Sequence, residues 1–180
     1  MAPLVGVLAL QGDFDAHAAV LRSLGARVRE VRTVGHLDGV EALVLPGGES
    51  TTMTLGIARE GLAEPLVELA ARVPVLGTCA GMIMLDRDHL GVLDMRCERN
   101  AFGRQVHSFE GDVALEGFGE PFHGVFIRAP WVAEHGGGIE VLGSVDGHPV
   151  AVAQGRILAV AFHPELIGED RLHRRLMAAI

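Results

Sequence analysis

The stretch Val75-Leu76-Gly77-Thr78-Cys79-Ala80-Gly81-Met82 decides how this chain is read. An apolar run, Val73 to Leu76 interrupted only by Pro74, ends in Gly-x-Cys-x-Gly, and a second apolar run, Ala80 to Leu85, follows. That is the pattern of a strand turning sharply into a helix and lifting one side chain, Cys79, into solvent. A nucleophile held in a strained turn leaves little room for a Cβ two residues before or after it, which accounts for Gly77 and Gly81. At the tip, backbone N–H groups of the helix N-terminus favour a thiolate. A buried cysteine in an ordinary strand-to-helix turn would use the same residues, since cysteine packs as a small hydrophobe. The flanking sequence decides between the two.

Upstream, Leu4 to Leu10 is a continuous apolar run, expected to form a central strand covered on both faces. Gln11-Gly12 turns the chain, and Asp13 or Asp15 can cap a helix to about Leu24, with Ala16, Ala19, Val20 and Leu24 as its apolar stripe. Ala26 to Val31 alternates as a second strand, and Ala42 to Leu45 is a third, buried one. Pro46-Gly47-Gly48-Glu49-Ser50-Thr51 leads into a helix that Ser50 or Thr51 can cap, and a further helix runs from about Leu62 to Ala71. Strands alternating with helices indicate an α/β domain with a mostly parallel sheet and helices on both faces.

Downstream of Leu85 the pattern changes to short β-like runs, Val92–Val106, Gly111–Leu115 and Phe122–Ile127, expected as antiparallel additions. Ile139 to Val145 is another β segment. Val150–Ala153 and Ile157–Phe162 flank Gln154-Gly155-Arg156 as a hairpin, and Asp170 caps a last helix. No repeat or linker interrupts residues 1–180, so one domain is expected.

Composition narrows the function classes. The net charge of −8 and the lack of a Lys/Arg-rich face argue against a nucleic-acid partner. No apolar stretch is long enough to span a bilayer, and a basic leader is missing, so a cytoplasmic protein is expected. Two cysteines, Cys79 and Cys97, suit reduced thiols, and Cys97 lacks any elbow around it. No pair of histidines has metal-ligand spacing, so neither metal nor cofactor is expected.

The apolar strand Ala159–Phe162 ends on His163-Pro164-Glu165. In extended chain residues i and i+2 share a side, so His163 and Glu165 project together. A carboxylate beside a histidine fixes its tautomer and stabilises the imidazolium. Strand ends of α/β sheets are where such a histidine can reach a cysteine. With the elbow, this predicts a Cys79–His163–Glu165 triad. The other eight histidines are expected to be exposed or satisfied by ordinary partners. Acyl transfer through cysteine also needs N–H donors for the developing oxyanion. Ala80 is one candidate, and the Gly47-Gly48 pair offers a second.

Three blocks carry a specific resemblance: Leu45-Pro46-Gly47-Gly48-Glu49-Ser50-Thr51-Thr52, Gly77-Thr78-Cys79-Ala80-Gly81 and Phe162-His163-Pro164-Glu165. Together they resemble the class I, or triad, glutamine amidotransferases. Leu10-Gln11-Gly12, Glu98-Arg99-Asn100-Ala101-Phe102-Gly103-Arg104-Gln105 and Gly124-Val125-Phe126-Ile127-Arg128-Ala129-Pro130 narrow this to the glutaminase subunits of pyridoxal 5′-phosphate synthase. The resemblance implies a flavodoxin-like three-layer sandwich. It implies that Cys79 attacks the side-chain amide of L-glutamine, that His163 protonates the departing ammonia, and that Glu165 orients His163. It implies that Gly47, Gly48, Glu49, Arg99, Ile127 and Arg128 line the glutamine site, with Gly48 and Ala80 as the oxyanion hole. A (β/α)8-barrel synthase subunit, in a large hetero-oligomer, is implied as the partner that receives the ammonia. Two departures stand out. Ala16 replaces the glutamate that usually precedes the histidine of the first helix, and the segment between Leu85 and Leu90 is short for the family.

Overall fold

The computed structural model describes residues 1–102 and 108–180. In chain order the elements are β1 (Leu4–Leu8), α1 (Phe14–Ser23), β2 (Arg27–Val31), β3 (Ala42–Leu45), α2 (Ser50–Arg59), α3 (Ala63–Ala70), β4 (Val75–Thr78), α4 (Ala80–Met84), β5 (Met95–Glu98) and β6 (Ser108–Val113). They continue as β7 (Phe122–Ile127), β8 (Trp131–His135), β9 (Glu140–Val145), β10 (His148–Gln154), β11 (Ile157–Val160) and α5 (Arg171–Ala178).

Every residue of β1, β3, β4 and β11 is buried, as expected of apolar runs with no polar alternation. These strands form the middle of a seven-stranded sheet ordered β2-β1-β3-β4-β11-β10-β9. The first five are parallel, and β10 is antiparallel to both of its neighbours. The chain leaves β1 for β2 on one side and β3 for β4 on the other. Right-handed crossovers in opposite directions put α1 on the face away from α2 and α3. The reversal between β1 and β3 is a topological switch point, where α/β sheets open a crevice beyond the strand ends. The expected flavodoxin-like order is therefore present, with antiparallel additions at one edge.

Two small antiparallel pairs, β5–β8 and β6–β7, stand beside the main sheet. A cluster of aromatic rings docks the second pair. Phe109 stacks on Phe126 at 4.5 Å, and Phe126 and Phe122 pack on Phe162, the last residue before His163. The His163 N–H donates to the Val125 carbonyl at 2.9 Å, which ties β7 to the chain beyond β11.

Several local expectations change. The long β-like run Val92–Val106 contributes only Met95–Glu98, and its Gly103–Val106 part lies outside the described residues. The strand at Trp131–His135 has no alternation strong enough to read; it forms because β5 offers an edge. Helix α2 is capped by Glu49, whose carboxylate accepts from the Thr51 and Thr52 N–H groups, and not by Ser50 or Thr51. Asp170 stands at the head of α5 but makes no side-chain cap; it pairs with Arg174 at 2.7 Å, one helical turn on. The short segment after Leu85 is closed by buried Asp86. Its carboxylate accepts from the N–H groups of Asp88 and Cys97, and its Oδ1 lies 2.7 Å from His89 Nδ1. Cys97 is half-buried there, and burial pushes its thiol up, as suits a structural residue.

Candidate active site

The C-terminal ends of β1, β3, β4 and β11 converge on one cleft of about 310 Å3. Cys79, His163, Glu49, Arg99, Ile127 and Arg128 all face it.

Cys79 follows β4 directly and has φ +47° and ψ −106°, a conformation that non-glycine residues rarely adopt. The surroundings enforce it. A Cβ on Gly81 would run into the Leu45 carbonyl, and one on Gly77 would come within 2.9 Å of the Gly81 oxygen. The elbow is thus clamped between β3 and the first turn of α4. Cys79 is nearly fully buried, and its Sγ lies 3.8 Å from the Ile127 carbonyl oxygen. The N–H groups of Ala80 and Gly81 open α4 and have no acceptor within it.

His163 and Glu165 project together as the spacing requires, with His163 Nδ1 2.8 Å from Glu165 Oε1. Both are buried. That contact leaves Nε2 to face the Cys79 thiol, which is close enough to help raise the ring. Pro164 opens a 3-10 turn, Pro164–Ile167, that carries Glu165 back under the imidazole.

A second carboxylate, a helix-cap candidate by sequence, joins this pair. Asp13 stands at the head of α1, but its Oδ2 is 3.3 Å from His163 Nδ1, so one ring nitrogen faces two carboxylates. Burial opposes a charge on His163, but hydrogen bonds to Asp13, Cys79 and Glu165 outweigh it and raise the ring well above the ordinary imidazole range. The same contact lowers the Asp13 carboxyl. A histidine raised in the folded state contributes stability that is complete below its unfolded pKa and is lost as pH rises through the folded one. Asp13→Asn is therefore expected to lower the pH at which His163 gives up its proton. Stability gained through that proton should disappear at correspondingly lower pH. Carbon- or nitrogen-detected titration of His163 alongside pH-dependent melting checks this, and an unmoved titration contradicts it.

The Pro46–Ser50 loop closes the other side. The Gly47 carbonyl accepts from the Asp13 N–H at 3.1 Å, and a Cβ on Gly47 would overlap the His163 ring. Gln11 Oε1 accepts from the Glu49 N–H at 2.6 Å, so the turn after β1 does grip this loop. Glu49 is held below the usual carboxylate range, at about 2, by the Thr52 hydroxyl and the Thr52 and Thr51 N–H groups. Its Oε1 also lies 3.4 Å from Arg99 Nη2, which reaches the Thr51 hydroxyl at 3.3 Å. Arg128 has φ +45° just after β7, and Asn100, just after β5, has φ +50°. The two small sheets thus deliver Arg99, Asn100, Ile127 and Arg128 to the rim. Gly103, Arg104 and Gln105 of the same sequence block lie outside the described residues.

Asp13, His163 and Glu165 bring ligand-type atoms within 4.8 Å of one another, but a cation there would take the atoms that hold the His163 proton. Among the described residues no helix is long and apolar enough to cross a membrane. Sequence reasoning missed Asp13 as a site residue, and it missed His17, Thr78 and His173 behind Glu165. Their signal was weak, because each looks like a cap or core residue until distant elements meet.

Comparison with known proteins agrees with this geometry. The chain is 52% identical over 192 residues to "Pyridoxal 5'-phosphate synthase subunit PdxT" of Mycolicibacterium vanbaalenii, covering 99% of this chain and 98% of that one. It is likewise 52% identical to the protein of the same description from Frankia alni, covering 96% and 92%. A solved structure described as a glutamine amidotransferase superposes with a TM-score of 0.91 at 46% identity, covering 97% of each chain. PurLQS from Thermotoga maritima, at 21% identity and a TM-score of 0.74, shares the fold. The sequence pattern of the SNO glutamine amidotransferase family matches residues 7–179. A thiol elbow, a carboxylate-held histidine and a rim built from the two small sheets are thus features of a chain that belongs to the SNO glutamine amidotransferase family.

Proposed function

We propose that this protein is the glutaminase subunit of a pyridoxal 5′-phosphate synthase. As one domain spanning residues 1–180, it hydrolyses L-glutamine to L-glutamate and ammonia, and a partner synthase subunit takes up the ammonia for vitamin B6 formation. The observation that carries the reading is Cys79, strained on its elbow beside a His163 whose Nδ1 is held by Glu165. In this reading Cys79 attacks as the thiolate with its proton on His163. The tetrahedral oxyanion is taken by N–H groups of Ala80 and the Gly48 region. His163 then protonates the leaving ammonia, leaving a thioester on Cys79. Water, deprotonated by His163, hydrolyses it to glutamate. Glu49 stays charged near neutrality and suits the α-ammonium of glutamine, and Arg99 or Arg128 suits the α-carboxylate. Ile127 completes the glutamine pocket, and Gly47 supports it from behind, buried against the His163 ring.

Ammonia released into water would protonate, so delivery through a protein contact is chemically favoured. The relatives' description as a synthase subunit supports a partner, for which a (β/α)8-barrel synthase in a cytoplasmic hetero-oligomer is our assignment. The test is glutamate release with and without that candidate synthase. Strong stimulation supports the whole reading, and stimulation-free activity leaves the glutaminase but removes the partner.

Gly48 gives a sharper version. It has φ +147°, and a Cβ there would run into Gln11 Oε1 and lie 2.8 Å from the Gly12 Cα. Gly48→Val is expected to push the Pro46–Ser50 loop, exposed at Gly48, off the Gln11-Gly12 turn while the sheet and its helices stay folded, and to lose about 100-fold or more in stimulated turnover. Normal stimulation in that variant would remove Gly48 from the oxyanion hole.

A further inference from the structure

Behind the cleft, buried polar side chains form a chain that the reaction scheme does not use. His17 of α1 and His173 of α5 are fully buried, and His17 Nδ1 lies 2.8 Å from His173 Nε2. The other nitrogen of His17, Nε2, lies 3.0 Å from Thr78 Oγ1 and 3.4 Å from Glu165 Oε2. One imidazole therefore touches the residue before Cys79 and the carboxylate that holds His163. Glu165 Oε2 is fully buried and has no partner of hydrogen-bonding geometry among the described residues; His17 Nε2, at 3.4 Å, is a ring nitrogen placed to supply one. Leaving such an oxygen without a donor is costly.

The proton count selects one arrangement. Burial, then the neighbouring His173 and His163, drives His17 well below its ordinary proton affinity. Burial likewise takes His173 down to about 4, against the charge of Asp170, the Glu169 backbone and the charge of Glu169. Both rings are thus neutral near pH 7, with one N–H each. A proton on His17 Nδ1 would turn the Nε2 lone pair toward the Glu165 carboxylate. A proton on Nε2 is instead shared between Thr78 Oγ1 and Glu165 Oε2, and His173 supplies the N–H between the rings. That choice turns the His173 Nδ1 lone pair toward the Glu169 backbone without a hydrogen bond of good geometry; the opposite choice leaves the buried Glu165 Oε2 with no donor, and an unpaired carboxylate oxygen is the costlier of the two.

We propose that His17, oriented by His173, is a positioning residue whose Nε2–H holds Glu165 Oε2 and so keeps Oε1 on His163 Nδ1. The activity readout of this proposal rests on the glutaminase reading above; the tautomer readout does not. Neither histidine touches glutamine or the thiol. Their effect passes through Glu165, as second-layer hydrogen bonds commonly orient a working group.

The test compares His17→Leu and His17→Gln in the full chain with the candidate synthase present. Leucine fills the space and removes both nitrogens, while glutamine can place an amide N–H near the position of Nε2. His17→Leu is expected to lower kcat for glutamate release by about 10-fold or more while KM for glutamine stays within about twofold. His17→Gln should recover most of the lost kcat. A His17→Leu enzyme with wild-type kcat overturns the proposal, however far its melting point falls. So does a His17→Gln enzyme no better than His17→Leu. Nitrogen-15 spectra of ring-labelled wild-type protein read the tautomers without any substitution. Both rings are expected to carry the proton on Nε2, and a His17 proton on Nδ1 overturns the proposal. Wild-type protein that releases no glutamate counts against the glutaminase reading, and the spectra then decide the role of His17.

Discussion

Cys79→Ala is expected to abolish glutamate release, with a loss of at least about 10,000-fold in turnover, while the fold survives. The size follows from the chemistry. Without sulfur no thioester forms, and the oxyanion donors and glutamine contacts that remain act on a water molecule with no fixed position. The fold survives because alanine fills less space and the elbow is clamped by its neighbours, not by the thiol: β4 and β11 pair through Val160 and Thr78, and the Cys79 N–H donates to the Val160 carbonyl at 2.8 Å. A covalent check accompanies the kinetic one. A glutamine-like electrophile should label the wild-type protein once, at Cys79, and leave Cys97 unmodified because burial keeps its thiol protonated. Residual activity above about one part in a hundred, or labelling at Cys97, would require a different nucleophile.

Gly81→Ala carries the second large effect, on stability. Its new methyl would overlap the Leu45 carbonyl, and a backbone oxygen in a fully buried strand cannot swing aside as a side chain can. Relief requires α4 to lift from β3, which opens the core at its centre. The expected cost is about 3 kcal/mol or more, a fall of roughly 6–12 °C in melting temperature for a chain of this length. Gly35→Ala is the control, since a Cβ there would meet nothing within 4 Å. It should leave the melting temperature almost unmoved. If the two variants melt alike, the clamp on the elbow is not steric.

The features legible in the sequence share a property: each is written in residues close together along the chain. Gly77-Thr78-Cys79-Ala80-Gly81 contains its own steric argument, and the backbone at Cys79 has the unusual dihedral angles that argument calls for. His163-Pro164-Glu165 likewise needs only the two-residue repeat of an extended chain, and the structure brings its imidazole to the elbow. The buried parallel strands read correctly because apolar runs without alternation have few other uses. What stayed hidden depends on meetings between distant elements. Asp13 looks like a helix cap until β11 brings His163 to it, and Glu49 looks like a free substrate contact until α2 takes its carboxylate as a cap. His17 and His173 are single polar residues on two helices, and no spacing rule predicts that both turn inward to touch. Strand β8 was missed for a similar reason: its pairing with β5 is imposed by the sheet edge it finds, not by its own pattern.

The sheet order also has a consequence during synthesis. β11 lies between β4 and β10, so β4 lacks one neighbour until the ribosome has passed residue 160. At about 5–20 residues per second, the apolar edge of β4 waits for several seconds with nothing paired to it. Over that interval the thiol of Cys79 has neither His163 nor Glu165 beside it. Nascent chains and products of premature termination before Ile157 are thus reactive-site blanks with a sticky strand edge, for chaperones and proteases to clear. Ammonia release begins only when β11 slots in beside β4 and brings His163 with it, so hydrolysis reports that this strand has been made and paired.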